Sequence, residues 1–113
     1  MPCDSSLDDS LIKQVESLRE LPPVRRATAR QRILELLHRR LGYLDPTGDI
    51  SHLYCAIKRI EIAEISNPVR RAALLLPLEG DLKELDPDGT AQRLCEAIGL
   101  VVREQYNDHV GAA

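Results

Sequence analysis

The chain has no phenylalanine and no tryptophan, and it holds only three tyrosines and one methionine among its 113 residues. Its core must therefore be built from leucine, isoleucine, valine and alanine, and it offers no set of aromatic side chains on which nucleic-acid bases would stack. The longest apolar run, residues 72–78, contains Pro77 and is far too short to cross a bilayer. The sequence therefore predicts no membrane span.

Cysteines are few and form no recognisable framework. Cys3, Cys55 and Cys95 are odd in number, widely spaced and free of any C-x-x-C pairing. This pattern is typical neither of a disulfide scaffold nor of a zinc knuckle, and it fits a reducing compartment. The acidic, polar start of the sequence also lacks the basic and apolar regions of a signal peptide. We therefore expect a cytoplasmic protein.

The best metal or thiol candidate is the pair His52 and Cys55, which are three positions apart and share a helix face if this segment is helical. A structural zinc site needs two further ligands. His38, Cys95 and His109 supply no second closely spaced pair. Because cysteine is among the most buried residue types, a packed thiol is the favoured interpretation, and we predict no metal and no cofactor.

Catalytic signatures are missing as well. The carboxylate pairs Glu61/Glu64 and Asp86/Asp88 lie in strongly polar surroundings, so we expect solvated surface charge rather than acid–base chemistry. The sequence contains no phosphate-binding glycine loop, no dinucleotide fingerprint and no nucleophile elbow. We predict that the protein is not an enzyme and has no catalytic residues.

Length and composition favour one folded domain. Hydrophobic residues make up 43% and charged residues 29% of the chain, which is ordinary globular usage. We predict a single domain over residues 1–113, with a core at about 7–106 and a flexible tail or linker at 107–113. No internal repeat emerges from the hydrophobic periodicity.

Helical periodicity recurs along the whole chain. It predicts a first helix at about 7–20, with Ser5 and Ser6 near its cap, and a second helix that starts at Pro23, runs to about Arg40 and closes at Gly42. Turn-forming residues then precede Asp49, a plausible N-cap of a third helix.

A fourth helix is predicted from Asn67 as cap and Pro68 in the first position, ending or kinking at Pro77. Its apolar residues surround the axis, so we expect it to be buried on nearly all sides. After a turn at 86–90, a last helix is predicted to end near Tyr106. The fold class is therefore all-α, a compact bundle of five to six short helices.

Charge is strongly segregated along the chain. Residues 1–18 carry a net charge of −3, residues 19–40 carry +5, residues 41–77 carry zero and residues 78–113 carry −5. The fold thus presents two opposite patches unless it interleaves them. The basic patch is predicted at Arg25, Arg26, Arg30, Arg32, Arg39 and Arg40, and the acidic patch at Glu79, Asp81, Glu84, Asp86 and Asp88.

Two opposite patches on different faces suit recognition between proteins. The basic patch of one copy can meet the acidic patch of another copy or of a matched partner. One alternative to recognition between proteins is that the two patches neutralise each other within one molecule. A second alternative is a small DNA-binding or regulatory protein that uses the basic helix 24–40 on phosphates. The pI of the chain, near 5.6, its few aromatic residues and its acidic last third argue against DNA binding.

The segment LPPVRRATARQRILELLHRRLG, the Asn67-Pro68 restart and LLLPLEGD at 74–81 resemble the effector-associated domains of bacterial conflict systems. The resemblance covers roughly residues 7–100. It implies a small, death-like helical adaptor that binds a homotypic or matched helical domain of an effector or sensor in bacterial immune signalling. The junction Ser66-Asn67-Pro68 departs from the glycine-containing junction expected between the third and fourth helices of that family.

Overall fold

The computed structural model describes the backbone of residues 3–63 and 65–112, and the side chains of residues 8–63 and 65–106. Within these ranges the chain is helical and has no strand, which confirms the predicted all-α bundle. The elements are α1 (Cys3–Ser17) with a 3₁₀ turn (Leu18–Glu20), α2 (Pro23–Leu44), α3 (Asp49–Ile62), α4 (Pro68–Leu85) and α5 (Thr90–Ala112).

Several of the predicted helix ends are wrong. Helix α1 already begins at Cys3, so Ser5 and Ser6 lie inside it. Helix α2 continues through Gly42 to Leu44, because Pro46 is the first residue that cannot continue it and disfavours helical geometry in the residue before it. Helix α5 continues past Tyr106 to Ala112, since no proline interrupts it and extending a formed helix is easy. The backbone of residues 107–112 therefore belongs to α5.

Helix α4 starts as predicted and then differs. Asn67 Oδ1 accepts hydrogen bonds from the amides of Val69 and Arg70 at 3.0 and 3.2 Å. The helix then runs through Pro77 instead of ending there. Proline leaves the carbonyl of Ala73 without its usual donor, but Ala73 is exposed and water can satisfy that carbonyl. The predicted burial of α4 is wrong as well, since most of its side chains face outward.

The helices pack in the order α2, α5, α3, α4, with α1 lying against α2 and α5. Helices α2 and α4 are thus the outer members of a flat body of 47 × 43 × 21 Å. One buried cluster joins α1, α2 and α5, and a smaller one joins α3, α4 and the start of α5. The first comprises Leu11, Val15, Leu18, Ile33, Leu37, Leu94, Ala97 and Val101, and the second Ile50, Ile57, Leu82 and Ala91.

The turns that lead into α3 and α5 share one sequence pattern, Leu-Asp-Pro-x-Gly, at 44–48 and 85–89. The backbone dihedrals φ and ψ are −131° and 65° at Asp45, and −136° and 65° at Asp86. Gly48 and Gly89 have φ values of 81° and 74°, a left-handed conformation that favours glycine. In each turn the glycine amide donates to the aspartate carbonyl at 3.1 Å. We call these the first and second Asp-Pro turns.

The repetition extends into both helices around each turn. When the sequence is aligned with itself at a shift of 41 positions, Asp45 matches Asp86, the residues of α2 match those of α4, and the residues of α3 match those of α5. Matching apolar pairs are Leu34/Leu75, Leu37/Leu78, Leu41/Leu82, Leu53/Leu94, Ala56/Ala97, Ile57/Ile98 and Ile60/Val101. The expectation of no internal repeat is therefore wrong. Hydrophobic periodicity missed it because helical spacing looks alike in every amphipathic helix.

Packing follows the same correspondence. Exchanging α2 with α4 and α3 with α5 turns the contact between α2 and α5 into the contact between α4 and α3, and both contacts are present. Helices α3 and α5 also contact each other, between these two pairs. The first half, α2 with α3, is thus related to the second half, α4 with α5, by an approximate two-fold exchange. Helix α1 stands outside this exchange, because it packs on α2 and α5 alone.

Candidate interaction surfaces

The aspartates of the two Asp-Pro turns are buried caps of the following helices. Asp45 accepts from the amides of Ile50 and Ser51 at 3.1 and 3.0 Å, and from the Ser51 hydroxyl at 2.8 Å. Burial disfavours the charged form of Asp45, but the hydrogen bonds from Ser51 and Ile50 outweigh it, so its pKa lies below the ordinary value. The predicted cap at Asp49 is wrong, since Asp45 makes these bonds.

Asp86 repeats this arrangement in the predicted acidic patch. It accepts from the amides of Ala91 and Gln92 at 3.2 and 2.9 Å, and from the Gln92 side-chain amide at 3.2 Å. Only 6% of Asp86 is exposed, so the expectation of a solvated Asp86/Asp88 pair is wrong for this residue. Asp88 is exposed and accepts from the Thr90 amide at 3.1 Å, a bond that lowers its pKa. Both carboxylates therefore organise the second Asp-Pro turn.

The other three predicted acidic residues, Glu79, Asp81 and Glu84, are exposed on α4. They occupy its C-terminal half, where Lys83 is interspersed among them. Of the five predicted acidic residues only Asp86 is buried, and the exposed ones on the outer helix α4 are Glu79, Asp81 and Glu84, while Asp88 lies in the turn. From here on, the acidic patch means these three residues.

The predicted basic residues also divide into exposed and interior groups. Arg25, Arg32 and Arg39 are exposed on α2. Arg30 is 7% exposed, and Arg26 donates to the carbonyls of Leu21 and Arg19 at 3.0 and 3.4 Å. Arg26 therefore holds the chain that enters α2. From here on, the basic patch means the three exposed arginines.

Arg40 belongs to the interior rather than to a docking surface. Its Nε lies 2.7 Å from the carboxylate of Asp8, and the two side chains are 11% and 2% exposed. Its guanidinium also lies 5.1 Å from the ring centre of Tyr43. This pair fastens α1 to α2, and a buried pair of this kind is costly to break because the remaining charge has no compensation.

The basic and acidic patches do not neutralise each other. No ion pair among the described side chains joins Arg25, Arg32 or Arg39 to a carboxylate of α4. Ion pairs that link different elements include Asp8–Arg40, Asp9–Arg93 and Arg19–Glu104. The two patches stand on different helices, α2 and α4, whose backbones do not contact each other.

Helix α4 also exposes an apolar surface that sequence reasoning missed. Val69 is 78% exposed and Leu76 is 66% exposed, and Ala72 and Ala73 between them face outward. Contiguous apolar side chains on an outer helix commonly mark a contact site. The signal in the sequence is the apolar character of α4 on all sides, which does not distinguish an exposed apolar face from a buried one.

The His52 and Cys55 pair gains no support as a metal site. Both side chains are exposed, so the expectation of a packed thiol is wrong for Cys55. No group of three potential ligands for a metal ion occurs in the described part of the chain. Cys95 is half-buried with its sulfur 3.9 Å from the Ser51 hydroxyl, and burial raises its pKa. Glu61 lies 3.4 Å from Lys58, whereas Glu64 is outside the described residues.

An open cleft of about 530 Å³ lies between α3, α4 and the second Asp-Pro turn. Its charged lining includes Lys58 and Lys83 beside Glu61 and Glu79, so both signs are present. Burial raises the pKa of Tyr54 at its edge. This mixture favours neither an anion nor a cation as a ligand.

Comparisons with family models, curated proteins and solved structures gave no match. None of the described helices combines the length and the apolar character that crossing a bilayer requires.

Proposed function

We propose that this chain is a non-catalytic protein–protein interaction module that brings an effector to its partner through opposite charged surfaces. The observation that carries the proposal is the placement of the basic patch on α2 and the acidic patch on α4, the two outer helices. A molecule with two such surfaces binds a partner, or a second copy, in a defined orientation.

The chemistry of the basic patch suits this role. Arginine presents a planar fork of donors that matches a carboxylate, so three arginines on one helix recognise acidic side chains with directional specificity. Each exposed ion pair contributes little free energy by itself. The module therefore acts best when many copies assemble, because linked contacts add avidity that a single contact lacks.

The resemblance to effector-associated domains gives this proposal a biological setting. It suggests a cytoplasmic adaptor, possessing a death-like fold, that serves in bacterial conflict signalling. Under this proposal the partner is a helical domain of a sensor or an effector, or another copy of the module. If the basic patch of one copy contacts the acidic patch of the next, the contact is heterologous and propagates into a ring or a filament.

The proposal is tested by light scattering of the purified chain across a salt series. A triple variant, Arg25→Glu with Arg32→Glu and Arg39→Glu, is expected to abolish self-association that is seen at low salt. The matched control reverses three other exposed cations, Lys13, Arg59 and Arg103, and so has the same net charge. Association that survives the first triple, or that both triples abolish equally, contradicts the proposal.

The same series with duplex DNA tests the alternative use of the arginines. If the arginines bind phosphates, the logarithm of the binding constant falls steeply and linearly with the logarithm of the salt concentration. If the chain binds DNA in this way and shows no salt-sensitive protein association, the DNA-binding alternative replaces the adaptor proposal.

A further inference from the structure

The two-fold exchange of the halves creates two equivalent grooves, of which the described chain fills one. The first groove lies between α2 and α5, and it is filled by Leu11 and Val15 of α1 and by Leu18 of the 3₁₀ turn that follows. The walls of this groove are Ile33, Leu37, Leu94, Ala97 and Val101, which are at most 6% exposed. Helix α1 therefore shows what occupies such a groove: an amphipathic helix with apolar residues at helical spacing.

The second groove lies between α4 and α3, at the positions obtained by the same shift of 41. Its walls are Leu74, Leu78, Leu53, Ala56 and Ile60. Leu74 is 41% exposed, whereas its counterpart Ile33 is 6% exposed. Ile60 is half-buried, whereas its counterpart Val101 is fully buried. The second groove is thus apolar like the first and less covered, because Leu74 is exposed and its other four wall residues are half-buried rather than buried.

Nothing in the described part of the chain takes the place of α1 there. Helix α4 packs mainly against α3, and Leu82 near its C-terminal end also contacts the start of α5 in the second buried cluster. Its outward face is also more apolar than that of α2. Where α2 carries Thr28, Gln31, Arg32 and Glu35, the matching positions of α4 carry Val69, Ala72, Ala73 and Leu76. Helix α4 is therefore suited to a wider apolar contact than its counterpart.

The charged residue at the edge of the second groove indicates what kind of helix can bind there. In the first groove Arg40 of α2 binds Asp8 of α1. The counterpart of Arg40 in α4 is Asp81, which is exposed. A second copy of α1 placed in this groove would bring Asp8 next to Asp81, and two like charges repel. The groove instead favours a helix with a basic residue at that position.

We propose that the second groove binds an amphipathic helix of a partner protein, with apolar residues spaced as in Leu11, Val15 and Leu18 and a lysine or arginine opposite Asp81. This is the helix-in-groove mode of peptide recognition. Asp81 also belongs to the acidic patch, but the inference does not need the basic patch, because none of Arg25, Arg32 and Arg39 lies among the residues of this groove.

The probe is a capped peptide with the sequence of residues 6–21, SLDDSLIKQVESLREL, in native form and as Asp8→Lys. Each peptide is titrated into the full-length chain, with amide NMR shifts to locate binding and fluorescence anisotropy to measure it. The Asp8→Lys peptide is expected to bind between α3 and α4, about threefold tighter than the native peptide, as exposed charge pairs allow. Replacing Asp81 by Lys in the chain is expected to reverse this preference.

Leu74→Glu is expected to abolish peptide binding, because it places a charge on the apolar wall. Since Leu74 is partly exposed, the variant should keep its fold, which circular dichroism checks. Val24→Glu is the matched control, because Val24 is 85% exposed on α2, away from α3 and α4. The basic-patch triple should bind the peptide normally, which separates this test from that of the proposed function.

Three outcomes overturn the inference. One is the absence of shifts on α3 and α4 at about 1 mM peptide, a concentration that detects even very weak complexes. Another is tighter binding of the native peptide than of the Asp8→Lys peptide. The third is a dimer of the unmodified chain that Leu74→Glu converts to a monomer, since the occupant would then be a second copy.

Discussion

The two Asp-Pro turns allow one local interaction to be tested twice in the same molecule. Asp86→Ala removes the acceptor of the Ala91 and Gln92 amides and of the Gln92 side chain. Loss of a helix cap costs about 1 kcal/mol, and a buried amide left without an acceptor costs about another 1 kcal/mol or more. We therefore expect the free energy of unfolding to fall by about 2 kcal/mol, from a total that is typically about 5–15 kcal/mol.

The measurement is urea unfolding followed by circular dichroism at the helix band. The midpoint should fall while the slope of free energy against urea stays constant, because the substitution exposes little additional surface. Asp45→Ala should cost a similar amount, because Asp45 accepts the equivalent three hydrogen bonds. The exposed Asp88 is the control, and Asp88→Ala should cost less than either.

The double variant Asp45→Ala with Asp86→Ala extends the test. The two turns share no hydrogen-bonding partner, so the two losses should add to about 4 kcal/mol. If Asp86→Ala lowers the free energy of unfolding by less than about 0.5 kcal/mol, the capping argument is refuted, because an effect of that size is typical of an ordinary surface substitution. A large loss at one turn and none at the other would refute the equivalence of the halves.

Three further predictions follow from other sites. Arg40→Met should destabilise the chain by about 3 kcal/mol in the same urea assay, because Asp8 would remain buried and charged, and Asp8→Asn in addition should restore part of the loss. Because the pKa of Asp45 is lowered by folding, its stabilisation is present above pH 3.8 and is lost in stronger acid; the stability of Asp45→Asn should therefore fall less steeply below that pH. Iodoacetamide should alkylate exposed Cys55 faster than Cys95, whose thiol pKa is raised by burial, as peptide mass spectrometry would show.

Local signals in the sequence predicted the elements that depend on neighbouring residues. The Asn67-Pro68 start of α4 and the turn at 86–90 are visible because an N-cap and a glycine with positive φ are requirements of a few adjacent residues. Helix ends were less predictable. Gly42 is a suitable stop for α2, yet the helix continues past it to Leu44. It ends there because Pro46, four positions after Gly42, cannot continue the helix.

Roles of individual charged residues were harder to predict from the sequence. Arg40 and Arg39 are adjacent and look equivalent in the sequence, but one is buried against Asp8 and the other is exposed. The difference arises because α1 covers one side of α2 only. In the same way Asp86 and Asp88 share a turn and both accept hydrogen bonds from amides at the start of α5, but only Asp86 is buried.

The amino-acid sequence by itself determined that this chain is helical, where its main turns fall and that its charge is divided, because each of these follows from composition or from short-range geometry. Tertiary structure decided which arginines and carboxylates reach solvent, and that α1 covers one of two matching grooves while α4 keeps an apolar face exposed. Those features depend on which helices meet across the bundle, and contacts between residues distant in the chain leave no local pattern in the sequence.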